Sequence, residues 1–317
     1  MKLLITGGAG FIGSHVADRL LADGHEVVVL DDLSTGHVEH LNPAARFYQM
    51  DIQSPWLDEL FKIERPEAVL HQAAQASVRH SVEDPVFDAR VNVLGTATLL
   101  QASVRHGVRR FLYASTGGAI YGDTDVIPTP EDVPTLPASP YGASKLAAEV
   151  YLRTFHALHG LSYAALRYAN VYGPRQDPHG EAGVVAIFAR RLLGGETARI
   201  NGDGKQTRDF VYVGDVAEAN ARALTSDAVG SFNVGTGVET DINTIFQLLK
   251  RLSGNNQPEA HGPAMVGEQR RSVIDARKIE KVMGWQPRTS LEAGLDATVR
   301  YFRQASPAAA AASALPA

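Results

Sequence analysis

Apolar positions in the first half of the chain alternate between short solid blocks and spaced sets. The block "KLLIT" (2–6) predicts a buried strand. The stretch "FIGSHVADRLLADG" (11–24) has its apolar residues at helical spacing and stops at Gly24, a residue suited to a helix C-terminus. Further strands are expected at "EVVVLDD" (26–32), "RFYQMD" (46–51), "AVLH" (68–71), "RFLYAS" (110–115) and "YAALR" (163–167). Between them, Val93, Ala97, Leu100 and Val104 share one face of a helix ending near Gly107, and 139–160 reads as another long helix. Strands alternating with helices predict parallel βαβ units and a Rossmann-type doubly wound parallel sheet.

After about residue 170 the pattern loosens. Proline and glycine cluster at 170–183, and short strands at 207–213 and 231–234 mix with helices at 240–253 and 289–303. The expected organisation is a dinucleotide-binding domain over 1–169, to which some later segments return, and a smaller α/β lobe mainly over 170–303. An alanine-rich, loose tail follows over 304–317. A crevice between two such lobes is the default ligand site.

Composition narrows the chemistry. Of 317 residues, 44% are hydrophobic and 21% charged, ordinary values for a folded soluble protein. The formal net charge is −5 with no basic block, so a nucleic-acid partner is not expected. There are no cysteines, which excludes disulfides, zinc thiolates and thiol nucleophiles and fits the cytoplasm. No secretory leader and no apolar run long enough to span a bilayer is visible, so no membrane role is expected.

Two motifs point to a reaction. "TGGAGFIGSH" (6–15) follows a strand and opens a helix, with Gly7, Gly10 and Gly13 spaced G-x-x-G-x-x-G. The first glycine permits the turn, the second lets backbone approach a pyrophosphate, and the third brings helix close to strand. A plain turn would explain glycines alone. Strand, loop, helix, second strand and Asp31 in this order point to a dinucleotide. Gly7, Gly10, Phe11, Ile12 and Gly13 are the candidate contacts. Asp31 at the end of the second strand would accept hydrogen bonds from a ribose and repel a 2′-phosphate, which favours NAD over NADP. Asp32 beside it is a candidate too, though solvation explains it as well. "YGASK" (141–145) sets Tyr141 and Lys145 one turn apart on one helix face. A nearby ammonium favours the phenolate, making Tyr141 a general acid/base candidate, where an ordinary amphipathic helix is the bland alternative. Ser115 or Thr116 of "YASTGG" would bond the same substrate oxygen.

These motifs, with "RYANVYGPRQ" (167–176) and "RDFVYVGDVA" (208–217), resemble the extended short-chain dehydrogenase/reductase family from residue 1 to about 303, and within it the UDP-glucose 4-epimerase branch. The resemblance implies that NAD lies in the first lobe and a nucleotide sugar in the second. It implies that Asp51 and Ile52 border the adenine, Ala73 and Ala74 line the nucleotide path, and Asn92 supports the loops. It further implies that Lys145 bonds the nicotinamide ribose and that Tyr168 approaches the nicotinamide. Asn170, Arg208 and Arg271 would face the diphosphate, for which a guanidinium fork is suited. It also implies a homodimer through helices near 84–106 and 140–159.

Relatives that eliminate water or CO2 carry carboxylates where this chain has Gly118 and Ala119, which move no protons. What remains is a hydride cycle at C4 of a UDP-sugar through a transient 4-keto form, which is epimerisation. UDP-glucose/UDP-galactose is the expected substrate type, with UDP-glucuronate or a UDP-N-acetylhexosamine as alternatives and a non-catalytic NAD sensor as the rival from another class. Two departures stand out. The usual catalytic hydroxyl position, counted back from "YG", holds Gly117, so Thr116 is the expected substitute, ahead of Ser115. Met265-Val266-Gly267 stands where many relatives have Arg-Pro-Gly, which would leave Arg271 to compensate, and the small Ser272 would admit an N-acetyl group. None of the 11 histidines has metal-ligand spacing, so no metal is expected; His71 reads as an interior residue, and His179 and Glu181 as solvated.

Overall fold

The computed structural model describes residues 1–179, 183–265 and 269–305. The strands of the first half are β1 Lys2–Thr6, β2 Glu26–Asp31, β3 Arg46–Gln49, β4 Ala68–His71, β5 Arg110–Thr116 and β6 Ser162–Tyr168. Five lie within one residue of the ends their apolar blocks predict. β3 is shorter: Met50 and Asp51 leave the strand. Then come β7 Asn170–Tyr172, β8 Arg199–Asn201, β9 Thr207–Arg208, β10 Phe210–Tyr212, β11 Gly230–Val234, β12 Thr240–Asp241, β13 Ala260–Gly262 and β14 Arg271–Ser272. The helices are α1 Phe11–Ala22, α2 Leu57–Glu64, α3 Val78–Glu83, α4 Pro85–Ala89, α5 Thr96–Arg105, α6 Pro140–His159, α7 Val184–Leu193, α8 Val213–Thr225, α9 Ile242–Ser253, α10 Arg277–Met283 and α11 Leu291–Gln304.

The main sheet has seven strands in the order β11-β6-β5-β4-β1-β2-β3, every pair parallel. The chain winds from β1 outward to β3, then restarts at β4 on the other side of β1, so the strand order reverses between β1 and β4. Both faces are covered. One core holds Val16, Leu20, Val216 and Phe232, and the other holds Leu60, Phe61, Leu99 and Leu152. That double burial is why the strands read as solid apolar blocks rather than alternating ones. A third core, with Phe188, Ile245, Phe246 and Leu295, belongs to the smaller lobe.

Three expected elements differ. "SFNV" becomes β11, the outer strand of the main sheet beside β6, and α8 packs on α1, so both return to the first domain. The expected single strand at 207–213 breaks at Asp209. That carboxylate is buried and accepts from Thr236 N, Thr236 Oγ and Gly237 N, which draws the residue out of line. β9 then joins β12 and β14, while β10 joins β7. The helix around Val93 opens with a π turn over Arg90–Gly95. Gly95 lets Ile52 pack against this turn, since a Cβ would lie 2.5 Å from Ile52 Cδ1 and the side chain would have to move.

Candidate active site

The glycine loop sits where the strand order reverses. Gly7 has φ +70, and a Cβ on it would fall 2.5 Å from Ala73 N, so the loop after β1 touches the loop after β4. A Cβ on Gly13 would lie 2.0 Å from Gly7 O, closer than any side chain allows. These glycines bring the α1 N-terminus against the strand end. Its N-cap, Gly10, offers no side-chain hydrogen bond, so the N–H groups of Phe11, Ile12 and Gly13 form an opening with no built-in acid. Asp31 closes the other side. Its carboxylate accepts from Ala9 N at 2.9 Å and Leu33 N at 2.8 Å; burial pushes its pKa up while those two N–H groups pull it down. Asp32 is exposed and caps its own turn through Ser34. Asp51 is exposed and accepts from Gln53 N, while Ile52 is buried under the π turn. Ala73 and Ala74 are half-buried. An anion cradle that side chains would fill, with an acidic acceptor one strand away, fits a dinucleotide lacking a 2′-phosphate.

The acid/base pair stands at the same end of the sheet. Ser139 caps α6 by accepting from Gly142 N, with Pro140 in the first turn, and this fixes where Tyr141 begins the helix. Gly142 lets that start sit close to the loop, because a Cβ would lie 2.4 Å from Ala119 O. Lys145 is buried, donates to Ala114 O at 2.9 Å, and lies 5.8 Å from the Tyr141 ring centroid and 4.9 Å from that of Tyr113. Burial lowers its pKa to about 8, against the pull of Asp88 and Glu149. Tyr141 itself is pushed up to about 12, by burial first; a hydrogen bond with Thr116 lowers it and Asp88 raises it. The sequence alone suggested that the lysine would bring the phenol toward phenolate. Among the protein's own groups, desolvation is the largest influence on the phenol and acts against the phenolate.

The family model for the NAD dependent epimerase/dehydratase family matches residues 3–235. The chain belongs to this family. It is 49% identical over 313 residues to the UDP-glucose 4-epimerase of Mycolicibacterium smegmatis, covering 96% of this chain and 100% of that relative. Among solved structures it resembles the Thermotoga maritima UDP-glucose 4-epimerase with UDP-glucose (TM-score 0.94, 49% identity, 96% of this chain and 99% of that one). It also resembles the Thermus thermophilus UDP-glucose 4-epimerase in complex with NAD (TM-score 0.93, 46% identity, 96% and 100% covered).

As a member of the epimerase/dehydratase family, the chain has two expected site residues turned elsewhere. Ser115 is not beside the phenol: its hydroxyl donates to Glu149 Oε1 at 2.6 Å in a buried cluster. Thr116, the next residue, points the other way, as strand alternation requires of neighbours, and its hydroxyl acts to lower the Tyr141 pKa. Ile274 packs over Gly117, and its Cδ1 would lie 2.6 Å from a Cβ there and would have to shift. Arg271 has a partner of its own. It is half-exposed, and its fork pairs with both oxygens of Glu239 at 2.8 and 2.7 Å. Arg208 pairs with Ser272 in register, whereas Arg271 pairs with Thr207, so Arg208 and Ser272 share one face and Arg271 has the other. Positions within 4 Å of a Cβ on Gly118 include Thr116 Oγ1, Asn170 Oδ1 and Ser272 Oγ, so these three groups converge at the mouth of the site. Tyr168 pairs with Thr116 in register, but its hydroxyl accepts from Asn220 Nδ2 at 2.8 Å and is engaged with Gln72, beneath the loop after β4. Glu181, Val266 and Gly267 lie outside the described residues, as does the tail from 306.

His71 is the interior residue it was expected to be. Thr96 donates its hydroxyl to Asn92 O, so its oxygen accepts from His71 Nε2 at 3.0 Å, and Nδ1 accepts from Thr6 at 2.7 Å. The neutral ring is satisfied, and burial lowers its pKa to about 3. Its ordinary value is 6.5, so below pH 6.5 the unfolded chain binds a proton that the folded state refuses. Stability from this source is intact above pH 6.5 and declines as pH falls toward 3. His71→Asn should flatten that decline in urea denaturation run from neutral pH to about pH 4; an unchanged slope would place the acid lability elsewhere.

The sequence reading missed the cluster behind the site. Glu149 lies two turns beyond Tyr141 on the same helix face, a spacing that was available as a signal. It accepts from Arg167 Nε at 3.0 Å and Nη2 at 2.7 Å, from Ser115 and from Ser231. Arg167 also donates to Tyr121, which donates to Asn233. One buried ion pair thus joins α6, β5, β6 and β11.

Proposed function

We propose that the protein is an NAD-dependent C4 epimerase of a UDP-sugar, an isomerase of the UDP-glucose/UDP-galactose type. The observation that carries this reading is a group of half-buried Tyr141 with buried Lys145 and Thr116 at the strand ends, beside a glycine cradle with Asp31 and with no carboxylate at Gly118 or Ala119. When bound, NAD supplies a reversible two-electron acceptor for the sugar C4. Tyr141 takes the C4 hydroxyl proton as the carbonyl forms and returns it when the opposite face is reduced. Thr116 hydrogen-bonds the same oxygen, and Lys145 bonds the nicotinamide ribose while holding positive charge behind the phenol. The cationic ring of the cofactor is what the base form of Tyr141 needs beyond the protein's own groups. Gly7, Gly10, Phe11, Ile12 and Gly13 cradle the pyrophosphate, Asp31 holds the adenosine ribose, Asp51 and Ile52 border the adenine, and Ala73 and Ala74 line the path between. Asn170 and Arg208 bind the substrate side.

No helix among the described residues is long and apolar enough to cross a membrane. We place the enzyme in the cytoplasm, in galactose metabolism, as a homodimer. The exposed Val86 and Leu94 beside α5, and Val150 and Leu158 on α6, support pairing through these helices; light scattering at twice the chain mass is the check. The deciding experiment incubates the enzyme with UDP-glucose, UDP-galactose, their N-acetyl forms and the uronic acids, separates products by chromatography and follows NADH absorbance. Inversion at C4 of at least one sugar without stoichiometric NADH is expected. No inversion of any would overturn the reading.

A further inference from the structure

Behind the acid/base pair lies a second buried carboxylate that none of the roles above uses. Asp88, on α4, is 1% exposed. Its Oδ1 accepts from Gln75 Nε2 at 2.8 Å and Asn92 Nδ2 at 3.1 Å. Two amide N–H groups on one oxygen suit a group that only accepts. Its Oδ2 is buried too and accepts no hydrogen bond among the described residues. A buried carboxylate in that state needs a cation nearby.

The same amide that holds Asp88 reaches the catalytic helix. Asn92 Nδ2 also lies 3.1 Å from Ser144 Oγ and 3.0 Å from Gln75 O. Ser144 donates to Tyr141 O at 2.9 Å, and Ser81 Oγ accepts from Tyr141 N at 3.1 Å. Asp88 therefore fixes the orientation of an amide that braces the first turn of α6. The ionisable groups that act on this cluster are His71 from β4, Tyr113 from β5, and Tyr141, Lys145 and Glu149 from α6. Lys145 is the one among them that carries positive charge at neutral pH. His71 is neutral there, and Glu149 is already committed to Arg167.

We propose that Asp88 is a positioning residue: its carboxylate braces α6 through Asn92 and is the buried counter-charge of Lys145, setting the pH range over which Tyr141 and Lys145 work. This rests on the reading of that pair given above. The direction follows from electrostatics. A negative charge here favours the ammonium of Lys145 and disfavours the phenolate of Tyr141, and both effects raise the pH at which each group loses its proton. Removing the charge shifts both limbs of the activity profile the same way, toward acid.

The test compares the pH profile of kcat for wild type, Asp88→Asn and Asp88→Glu, using a UDP-sugar that the wild-type enzyme inverts. Asp88→Asn should move both limbs toward acid by on the order of one pH unit, while Asp88→Glu keeps the wild-type limbs. A uniform drop in kcat with unmoved limbs in Asp88→Asn would overturn the proposal and leave Asp88 a packing residue. If Asp88→Asn does not fold, Asp88→Ser, whose cavity admits water, carries the same expectation; failure of both to fold assigns the residue to stability alone and also overturns the proposal. An inactive wild type would instead strike the function proposed above, so the two failures are distinguishable.

Discussion

Tyr141→Phe is expected to slow inversion at C4 on the order of 10²–10⁴-fold while leaving NAD binding near the wild-type level. The size of the loss decides what the phenol does. If Tyr141 only offered the sugar a hydrogen bond, its removal would cost about 1 kcal/mol, less than a tenfold change in rate. A proton carrier removed from the reacting oxygen costs far more, on the order of 10²–10⁴-fold. The ring stays, so packing against Lys145 survives, and Thr116 keeps its place at the strand end. Turnover comes from product chromatography and NAD affinity from calorimetry. A loss below tenfold would remove Tyr141 from proton transfer and leave it as a binding group.

The second large effect is on stability. Glu149→Ala should lower the unfolding free energy by about 3–5 kcal/mol, because it strands the Arg167 guanidinium in the interior. That is a large share of the 5–15 kcal/mol typical of a folded domain. Arg167 and Glu149 are both under a tenth exposed, and Arg167 keeps only Tyr121 as a side-chain partner when the carboxylate goes. The Ser115 and Ser231 hydroxyls lose their acceptor as well. Glu149→Gln retains an acceptor oxygen and should cost less, about 1–3 kcal/mol. Urea denaturation measures both. Equal, small losses for the two variants would show that water reaches the pair.

The cradle was readable because each part is a local sequence event. Gly10 and Gly13 answer to Gly7 O within the same strand–loop–helix unit, and Asp31 follows one strand later, whereas Gly7 answers to Ala73 in the loop after β4. Tyr141 and Lys145 were readable because helix geometry puts i and i+4 together without any help from the rest of the chain. Ser115 was misplaced for a different reason. Two adjacent hydroxyls look alike in a sequence, and only the position of Glu149 on the packed helix decides which of them faces inward. The face taken by Arg271 was not readable, because its strand is two residues long, too short for alternation to be legible before pairing with β9 is known.

Periodicity, glycine spacing and the one-turn step from Tyr141 to Lys145 determined the strands and helices, the glycine loop and the Tyr141–Lys145 pairing, because each is written in residues close together in the chain. The tertiary structure decided that Ser115 turns to Glu149, that Arg208 and Arg271 lie on opposite faces of their strands, and that Glu149 and Arg167 meet in the interior. It also decided the protonation state, since burial, which no run of letters displays, pushes Tyr141 up and Lys145 down. Distance in space between groups far apart in sequence is the quantity those decisions depend on, and only the packed fold supplies it.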